Sequence, residues 1–333
     1  MSKILLFGEP LIRITPSHYE KLSNNVSSQI YYGGSEVNIA RNMQGFGTHT
    51  SVFTAIPNDN IGTSFINFLN SNQIDTTSIQ RCGDRLGMYY LINGYGVRNS
   101  EVYYDRKFTG INNIDVSLIN FNQLFGGITH FHFSGITVAI SAHVRNVLLV
   151  LLEEAKKRNI IVSMDLNLRT KMISIDDAKV EFSKFAKYAD YCFGIDPIMK
   201  DENDINMFDR AHATDKLIEK RMMELQEKYH FKAVFHTLRN IDKNQMNTYS
   251  AYAYSNQLYK SISLQTSILE RVGSGDAFVA GALYQIMNNK SLQDIIDFAV
   301  ASGTLKCTLN GDNMYESKET VIALLNNQID ISR

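Results

Sequence analysis

The residues with the clearest chemical potential in this 333-residue chain lie in segment 270–281. There Gly273 and Gly275 flank Ser274, Asp276 follows, and an apolar helical pattern begins. Glycines let consecutive backbone N–H groups face one concavity, and a helix start adds unpaired donors and partial positive charge. Such a loop suits the oxyanions of a transferring phosphoryl group, and Asp276 could accept the proton of an attacking hydroxyl. A tight turn in which Asp276 only caps the helix fits equally well.

A second glycine pair precedes a helix near the N-terminus. Gly33 and Gly34 come directly before the predicted helix Ser35–Gly45, and Asn38 lies one turn into it. Paired glycines allow a ligand to approach the backbone closely, and Asn38 could hydrogen-bond a polyol, although a simple turn explains the pair as well. The chain contains neither a GxxxxGK[ST] loop nor a GxGxxG turn after a strand, which disfavours P-loop enzymes and dinucleotide oxidoreductases.

Two arginines could bind an anionic substrate. Arg106 lies at the end of an aromatic segment, and Arg169 follows the predicted strand Ile160–Asp165. Open α/β sheets bind ligands beyond the carboxyl ends of their strands, and guanidinium groups match carboxylates geometrically. The two side chains could therefore clamp a carboxylate together. Each alone also fits a solvated charge or a salt bridge.

Short apolar runs alternate with helical patterns along the chain, which predicts an α/β fold with a central, mostly parallel sheet flanked by helices. The predicted strands are Ile4–Phe7, Ser51–Ile56, Thr129–Ser134, Ile160–Asp165, Tyr191–Gly194 and Lys232–His236. The predicted helices are Ser35–Gly45, Ala142–Arg158, Glu181–Ala189, Thr214–Tyr229, Ala277–Met287 and Leu292–Thr308.

An aromatic, β-rich segment interrupts this alternation. Gly87–Val97 and Glu101–Phe108 predict a hairpin, and Gln29–Tyr32 could add a strand to it. We interpret the hairpin as a small β flap on the α/β body. An exposed aromatic flap predicts a partner surface, and we expect a homodimer through it, with further assembly possible.

Composition narrows the class of protein. The chain has 33 basic and 34 acidic residues, a formal charge of −1, and 44% hydrophobic residues, which argues against disorder and against nucleic-acid binding through a basic surplus. No apolar run is long enough for a membrane helix. Three widely spaced cysteines suit reduced thiols and predict a cytoplasmic protein without a structural zinc site.

Taken together, the glycine motifs resemble those of the ribokinase-like (PfkB) carbohydrate kinases. Gly33–Ala40 is similar to that family's Gly-Gly-x-x-x-Asn-x-Ala element, and Gly273–Asp276 is similar to its Gly-Ala-Gly-Asp element about 240 residues later. Asn58–Gly62 resembles its Asp-x-x-Gly turn. The resemblance covers nearly the whole chain and implies one ribokinase-like domain over residues 1–333. It also implies a small β-sheet lid formed from about 10–35 and 85–110.

Within the family the chain most resembles the kinases of 2-keto-3-deoxygluconate, which implies a sugar-acid substrate, ATP and Mg²⁺. The resemblance implies catalysis by Asp276, with Gly273, Ser274 and Gly275 as the anion hole. It implies substrate contacts at Gly34, Tyr89, Tyr104, Arg106, Ile136, Arg169 and Asp276, to which the residue argument adds Asn38. Nucleotide contacts are expected at Thr237, Arg239, Gly273, Gly275, Ser302 and Asn313.

Some family positions differ in this chain. The Asn-x-x-Glu element of the metal–water shell corresponds to Phe193–Pro197, where Asp196 replaces the glutamate, and Glu270 and Arg271 replace an Asp-Thr pair. The metal ligands therefore stay unassigned. A fructokinase-like or ribokinase-like enzyme and a non-catalytic sugar or nucleotide sensor remain alternatives.

Overall fold

The apolar runs form strands, as their pattern predicts. The computed structural model describes residues 2–242 and 246–326, so Met1, 243–245 and 327–333 of the expected 1–333 domain lie outside the described residues. The strands are β1 Lys3–Phe7, β2 Leu11–Pro16, β3 Ser28–Gly33, β4 His49–Phe53, β5 Ala55–Ile56, β6 Gln80–Arg81, β7 Gly87–Ile92, β8 Glu101–Asp105, β9 His130–Ser134, β10 Ile161–Asp165, β11 Tyr191–Phe193, β12 Ala233–Ile241, β13 Met246–Tyr254, β14 Leu258–Lys260 and β15 Leu264–Ser267.

The helices follow the predicted periodic segments closely in the middle and less closely at the ends. They are α1 Ser35–Gly45, α2 Asn60–Ser71, α3 Phe121–Leu124, α4 Gly135–Ile140, α5 Ala142–Lys157, α6 Ile175–Ala186, α7 Asp215–Tyr229, α8 Ser274–Met287, α9 Leu292–Lys306 and α10 Lys318–Leu325. Helix α1 has the predicted bounds. Helix α6 begins six residues before the predicted Glu181, because Ser174 caps it by accepting from the Asp177 N–H.

The main sheet has the strand order β14-β13-β12-β11-β10-β9-β1-β4, with β15 paired to β13. Pairs from β4 to β12 are parallel, whereas β13 pairs antiparallel with β12, β14 and β15. The prediction of a mostly parallel sheet is confirmed. The antiparallel edge was not predicted, because β13 mixes tyrosines and alanines with polar residues instead of forming an apolar run.

Alternate residues of the central strands supply two apolar layers. In β1, Leu5 and Phe7 join a core beneath α4 to α7, and Ile4 and Leu6 join a core beneath α1, α2 and α8 to α10. A strand buried on both faces must be apolar throughout, which explains its unbroken run. Each helix in residues 2–242 and 246–326 is too short or too polar to cross a bilayer.

The predicted flap is a separate four-stranded sheet in the order β3-β2-β7-β8. The hairpin β7–β8 is antiparallel, and β2 joins it by pairing parallel with β7. Strand β3 contains the predicted Gln29–Tyr32 segment and pairs with β2. This sheet, hereafter the lid, has a small buried cluster of its own around Leu11, Tyr89 and Leu91.

Gly34 makes the turn from β3 of the lid into α1. Its φ is +113°, and a β-carbon there would lie 2.2 Å from the Glu9 carbonyl oxygen. Gly47 also has a positive φ, +85°, but a β-carbon there would meet nothing within 4 Å. An alanine at Gly47 would therefore suffer backbone strain alone, whereas an alanine at Gly34 would suffer backbone strain and steric overlap.

We predict that Gly34→Ala lowers the free energy of unfolding by about 3 kcal/mol or more, and that the control Gly47→Ala lowers it by about 1 kcal/mol. Urea denaturation of both variants measures the difference. Equal losses would show that the lid–helix turn tolerates a side chain.

Candidate active site

A cavity of about 920 Å³ lies between the lid and the carboxyl ends of the parallel strands. Helix N-termini and strand ends converge at this edge of an α/β sheet, so side chains distant in sequence meet there. Its lining includes these predicted site residues: Gly34, Asn38, Tyr89, Tyr104, Arg106, Ile136, Arg169, Thr237, Arg239, Gly273, Ser274, Gly275 and Asp276.

Two predicted nucleotide contacts lie outside this lining. Ser302 is buried in α9 and donates to the Phe298 carbonyl at 2.9 Å. Asn313 donates through Nδ2 to the Tyr32 carbonyl at 2.9 Å. Both side chains make structural contacts, so the cavity gives no support to a nucleotide role for either.

The glycine loop bends sharply into α8. Gly273 has a φ of +81°, and a β-carbon there would lie 1.9 Å from the Asp312 carbonyl oxygen, so only glycine fits. The Ser274 N–H already donates to the Arg271 carbonyl at 3.2 Å, contrary to the expectation that it would face an anion. The N–H groups of the first helical turn, beginning with Gly275, have no acceptor four residues back and suit that role.

Asp276 joins the two glycine motifs. Its carboxylate accepts from the Ser35 hydroxyl at 2.8 Å and from Asn38 Nδ2 at 2.7 Å. The cap of α8 is Gly273 without a side-chain hydrogen bond, so the alternative that Asp276 is only a helix cap is wrong. Asn38, expected on the sugar, uses its Nδ2 for this carboxylate, and its sugar contact stays a prediction. Asp276 lines the cavity although only 8% of the residue is exposed.

Burial makes the carboxylates around Asp276 more basic. Burial raises the pKa of Asp276 above its usual value, although hydrogen bonds from Asn38 and Ser35 and the charge of Arg169 oppose the shift. Burial and then the Asp276 charge raise the pKa of Asp165 to about 7. Burial likewise raises the pKa of Glu36 to about 7, against hydrogen bonds from Ser134 and Thr137. A carboxylate with a raised pKa is a better general base.

The two expected clamp residues differ in their partners. Arg106 donates through Nε to Glu9 at 2.8 Å and through Nη2 to the same carboxylate, which also accepts from Thr109. Arg169 donates only to the Leu168 carbonyl at 3.5 Å, and no carboxylate of residues 2–242 or 246–326 forms an ion pair with it. Of the two expected clamp residues, Arg169 is therefore the one whose charge is available to a ligand, and the joint clamp with Arg106 stays a prediction.

Further arginines face the other side of the cavity. Arg239 donates to the Tyr249 hydroxyl at 3.0 Å, and its Nη2 lies 3.7 Å from where a Gly275 β-carbon would be. Arg210 and Arg271 also line the cavity and were not predicted. Arg271 stands two residues before the glycine loop, a position that could have suggested it. The three guanidinium groups suit phosphate oxygens.

The residues present do not fit a dedicated magnesium site. Asp196, at the family's glutamate position, is 3.1 Å from Lys179 Nζ and 3.3 Å from Arg221 Nη2, and it accepts from the Phe208 N–H at 2.5 Å. Residues 2–242 and 246–326 contain no group of three His, Cys, Asp or Glu side chains placed for a metal ion.

The fold and the glycine loops agree with the comparison to known proteins, in which residues 1–318 match the pfkB family of carbohydrate kinases. The chain belongs to this family. This match and the similarity to solved structures confirm the predicted ribokinase-like fold and the carbohydrate-kinase class.

This PfkB-family chain is similar to several named relatives. It is 24% identical over 312 residues to a 2-dehydro-3-deoxygalactonokinase of Haloferax volcanii, covering 93% of this chain and 92% of the relative. It is 23% identical to a 5-dehydro-2-deoxygluconokinase of Clostridium botulinum, covering 91% and 86%. The crystal structure of 2-dehydro-3-deoxygluconokinase from Thermotoga maritima matches with 28% identity and a TM-score of 0.89 over 98% of both chains.

Proposed function

We propose that this protein is an ATP-dependent sugar-acid kinase that phosphorylates 2-keto-3-deoxygluconate at its 6-hydroxyl, acting in the cytoplasm. One observation carries the proposal: Asp276, the glycine loop and an unpaired guanidinium, Arg169, line a single cavity beneath the lid. Burial raises the pKa of Asp276 and the charge of Arg169 opposes that rise, so the two groups lie within electrostatic range of each other. A substrate with a carboxylate at one end and a hydroxyl at the other would satisfy both.

The chain's own residues account for the chemistry of this transfer. Ser35 and Asn38 hold the Asp276 carboxylate, whose remaining lone pairs accept the hydroxyl proton as the oxygen attacks the γ-phosphoryl. The free N–H groups at the start of α8 and the Arg239 guanidinium stabilise the charge on the phosphoryl oxygens. Mg²⁺ carried on the nucleotide phosphates with water ligands would add charge neutralisation.

The lid completes the pocket on the sugar side. Tyr89 and Tyr104 are paired across the β7–β8 hairpin, and both line the cavity. Covering the sugar excludes water, which otherwise competes as phosphoryl acceptor. The names of the three relatives all denote kinases of dehydro-deoxy derivatives of gluconate or galactonate, which supports a sugar acid. A neutral sugar such as fructose would leave Arg169 without an anionic partner.

We expect ADP-release assays to show a kcat/KM for 2-keto-3-deoxygluconate at least about tenfold above that for fructose or ribose. Arg169→Gln should lower the sugar-acid value by about 10- to 150-fold, the equivalent of about 1.5–3 kcal/mol for a charge-assisted hydrogen bond. Neutral sugars should lose less. The control Arg158→Gln changes an arginine outside the cavity that pairs with Glu154 and should have no effect.

Two results would contradict this assignment. Equal losses for acidic and neutral sugars would remove Arg169 from carboxylate recognition and favour a fructokinase-like or ribokinase-like substrate. Calorimetric sugar binding without turnover of any sugar would favour a sensor.

We predict that Asp276→Asn lowers kcat by about 10²- to 10⁴-fold with a modest change in KM, because the general base is lost while its shape is kept. The base must be ionised to accept a proton, so the raised pKa of Asp276 should place the acid limb of the wild-type pH–rate profile above the ordinary aspartate value of about 3.9. Rates fall as the pH drops through that limb.

The control Asp176→Asn makes the same change at an exposed position of α6 and should leave kcat unaltered. Near-normal turnover of Asp276→Asn would exclude this carboxylate as the base.

We also propose that the protein forms a homodimer through the outer face of the lid. The lid pairings place Ile30, Ile14, Tyr90 and Tyr103 in one row across the sheet, and Ile30 and Tyr103 are 63% and 53% exposed. A second copy presenting the same row would bury these side chains.

Light scattering should give a mass of about twice 37.8 kDa, and Ile30→Lys should reduce it. The control Ile61→Lys changes a similarly exposed isoleucine of α2, away from the lid, and should not. A monomeric wild-type protein would contradict the dimer.

A further inference from the structure

A fully buried arginine occupies the centre of the lid. Arg13 lies on β2, between Tyr31 of β3 and Tyr89 of β7 in the sheet register, and none of its side chain is exposed. Its guanidinium carbon lies 4.1 Å from the centroid of the Tyr31 ring. A buried guanidinium is costly unless it is paired and hydrogen-bonded, so its partners have a reason to be there.

Both partners lie on loops of the α/β body, not in the lid. Arg13 donates through Nη1 and Nη2 to the two carboxylate oxygens of Glu270, with the Nη2 bond at 3.1 Å. Its Nη1 also lies 2.8 Å from Asp312 Oδ1. Glu270 lies three residues before Gly273 of the glycine loop Gly273–Gly275, hereafter the anion loop, and Asp312 follows α9. The Arg13 side chain of the lid thus binds the loop that contains Glu270 and the loop that contains Asp312.

These two loops are also joined to each other. Glu270 accepts from the Gly311 N–H at 2.8 Å, and the Asp312 carbonyl packs where a Gly273 β-carbon would be. The Tyr89 hydroxyl donates to Asp312 Oδ2 at 2.5 Å, which adds a second link from the lid. Any shift of Glu270 or Asp312 is therefore transmitted to the backbone that turns into α8.

The cluster is electrically balanced. Lys306 is fully buried and donates to the Leu309 carbonyl at 3.0 Å; burial lowers its pKa, and the charges of Glu270 and Asp312 oppose that shift. Burial alone would lower the pKa of Arg13, but Asp312 and Glu270 raise it above its usual value. Two cations and two anions are therefore buried together, and removing one leaves a buried charge unpaired.

We propose that Arg13 is a positioning residue for phosphoryl transfer: through Glu270 and Asp312 it holds the anion loop in register with the lid that covers the sugar. The inference rests on the proposed function, and it assigns to the lid a mechanical role besides shielding. Misplacing reacting groups by about 1 Å can cost as much as 10²-fold in rate, so the expected effect lies in kcat more than in binding.

The test compares Arg13→Met with Arg85→Met. Arg85 lies two residues before β7 of the lid and has its Nη2 2.7 Å from Asp105 Oδ2 of β8, but this pair is partly exposed and outside the cavity lining. Assays run well below the unfolding midpoint of the less stable variant. We expect Arg13→Met to lower kcat by about 10- to 100-fold while calorimetric dissociation constants for ATP and sugar acid change by less than about threefold. Arg85→Met should behave like wild type.

A second measurement needs no substrate. Amide hydrogen exchange of residues 270–276 should accelerate by about tenfold or more in Arg13→Met and stay unchanged in Arg85→Met, because the loop loses its buried anchor. If Arg13→Met does not fold, Glu270→Gln keeps the side-chain shape, removes one anion and should give the same pattern.

Normal kcat in folded Arg13→Met and Glu270→Gln, with or without faster exchange, would show that the cluster only stabilises the fold and would overturn the proposal. Failure of the wild-type enzyme to phosphorylate any sugar acid would instead defeat the proposed function. The exchange measurement would still decide whether Arg13 holds the loop.

Discussion

The candidate active site depends on the hydrogen bonds that Ser35 and Asn38 donate to the buried carboxylate of Asp276. A carboxylate removed from water is stable only when donors replace its hydration. The donors stand on the first turns of α1, which Gly34 connects to the lid. One buried acid therefore requires the lid, α1 and α8 to meet at a single point.

The charged side chains around the cavity are of two kinds: those in ion pairs, which stabilise the structure, and those without an ion pair among the described residues, which can bind a ligand. Arg106 pairs with Glu9, and Asp196 pairs with Lys179 and Arg221. Arg13 pairs with Glu270 and Asp312. These ion pairs hold the side chains and loops around the cavity in place. Burial makes each pair expensive to break, so the walls keep their shape. Arg169 and the cavity-lining Arg210 and Arg271 form no ion pair within the described ranges 2–242 and 246–326, which leaves their charge for anionic ligands.

Local signals explain what could be predicted about the fold. Helix α1 follows Gly34 and ends near Phe46, so glycine punctuation and periodicity give its bounds. The strands of the parallel core are apolar because both faces are covered. Strand β13 escaped prediction because its tyrosines and alanines are mixed with polar residues instead of forming one apolar run, although it pairs antiparallel with β12 on one side and with β14 and β15 on the other. The nucleotide contacts expected at Ser302 and Asn313 came from resemblance and stay predictions; in the structure both side chains donate to backbone carbonyls.

The sequence by itself determined the α/β class and the two glycine loops, because backbone freedom and hydrophobic periodicity are local properties, and it predicted Asp276 as the general base. Only the tertiary structure decided which charged side chains form ion pairs with one another. Arg106 and Arg169 look alike in the chain, yet Glu9 neutralises the first and nothing comparable reaches the second among the described residues. Pairing depends on distances of a few ångströms between segments far apart in sequence, and such distances exist only once the chain has folded.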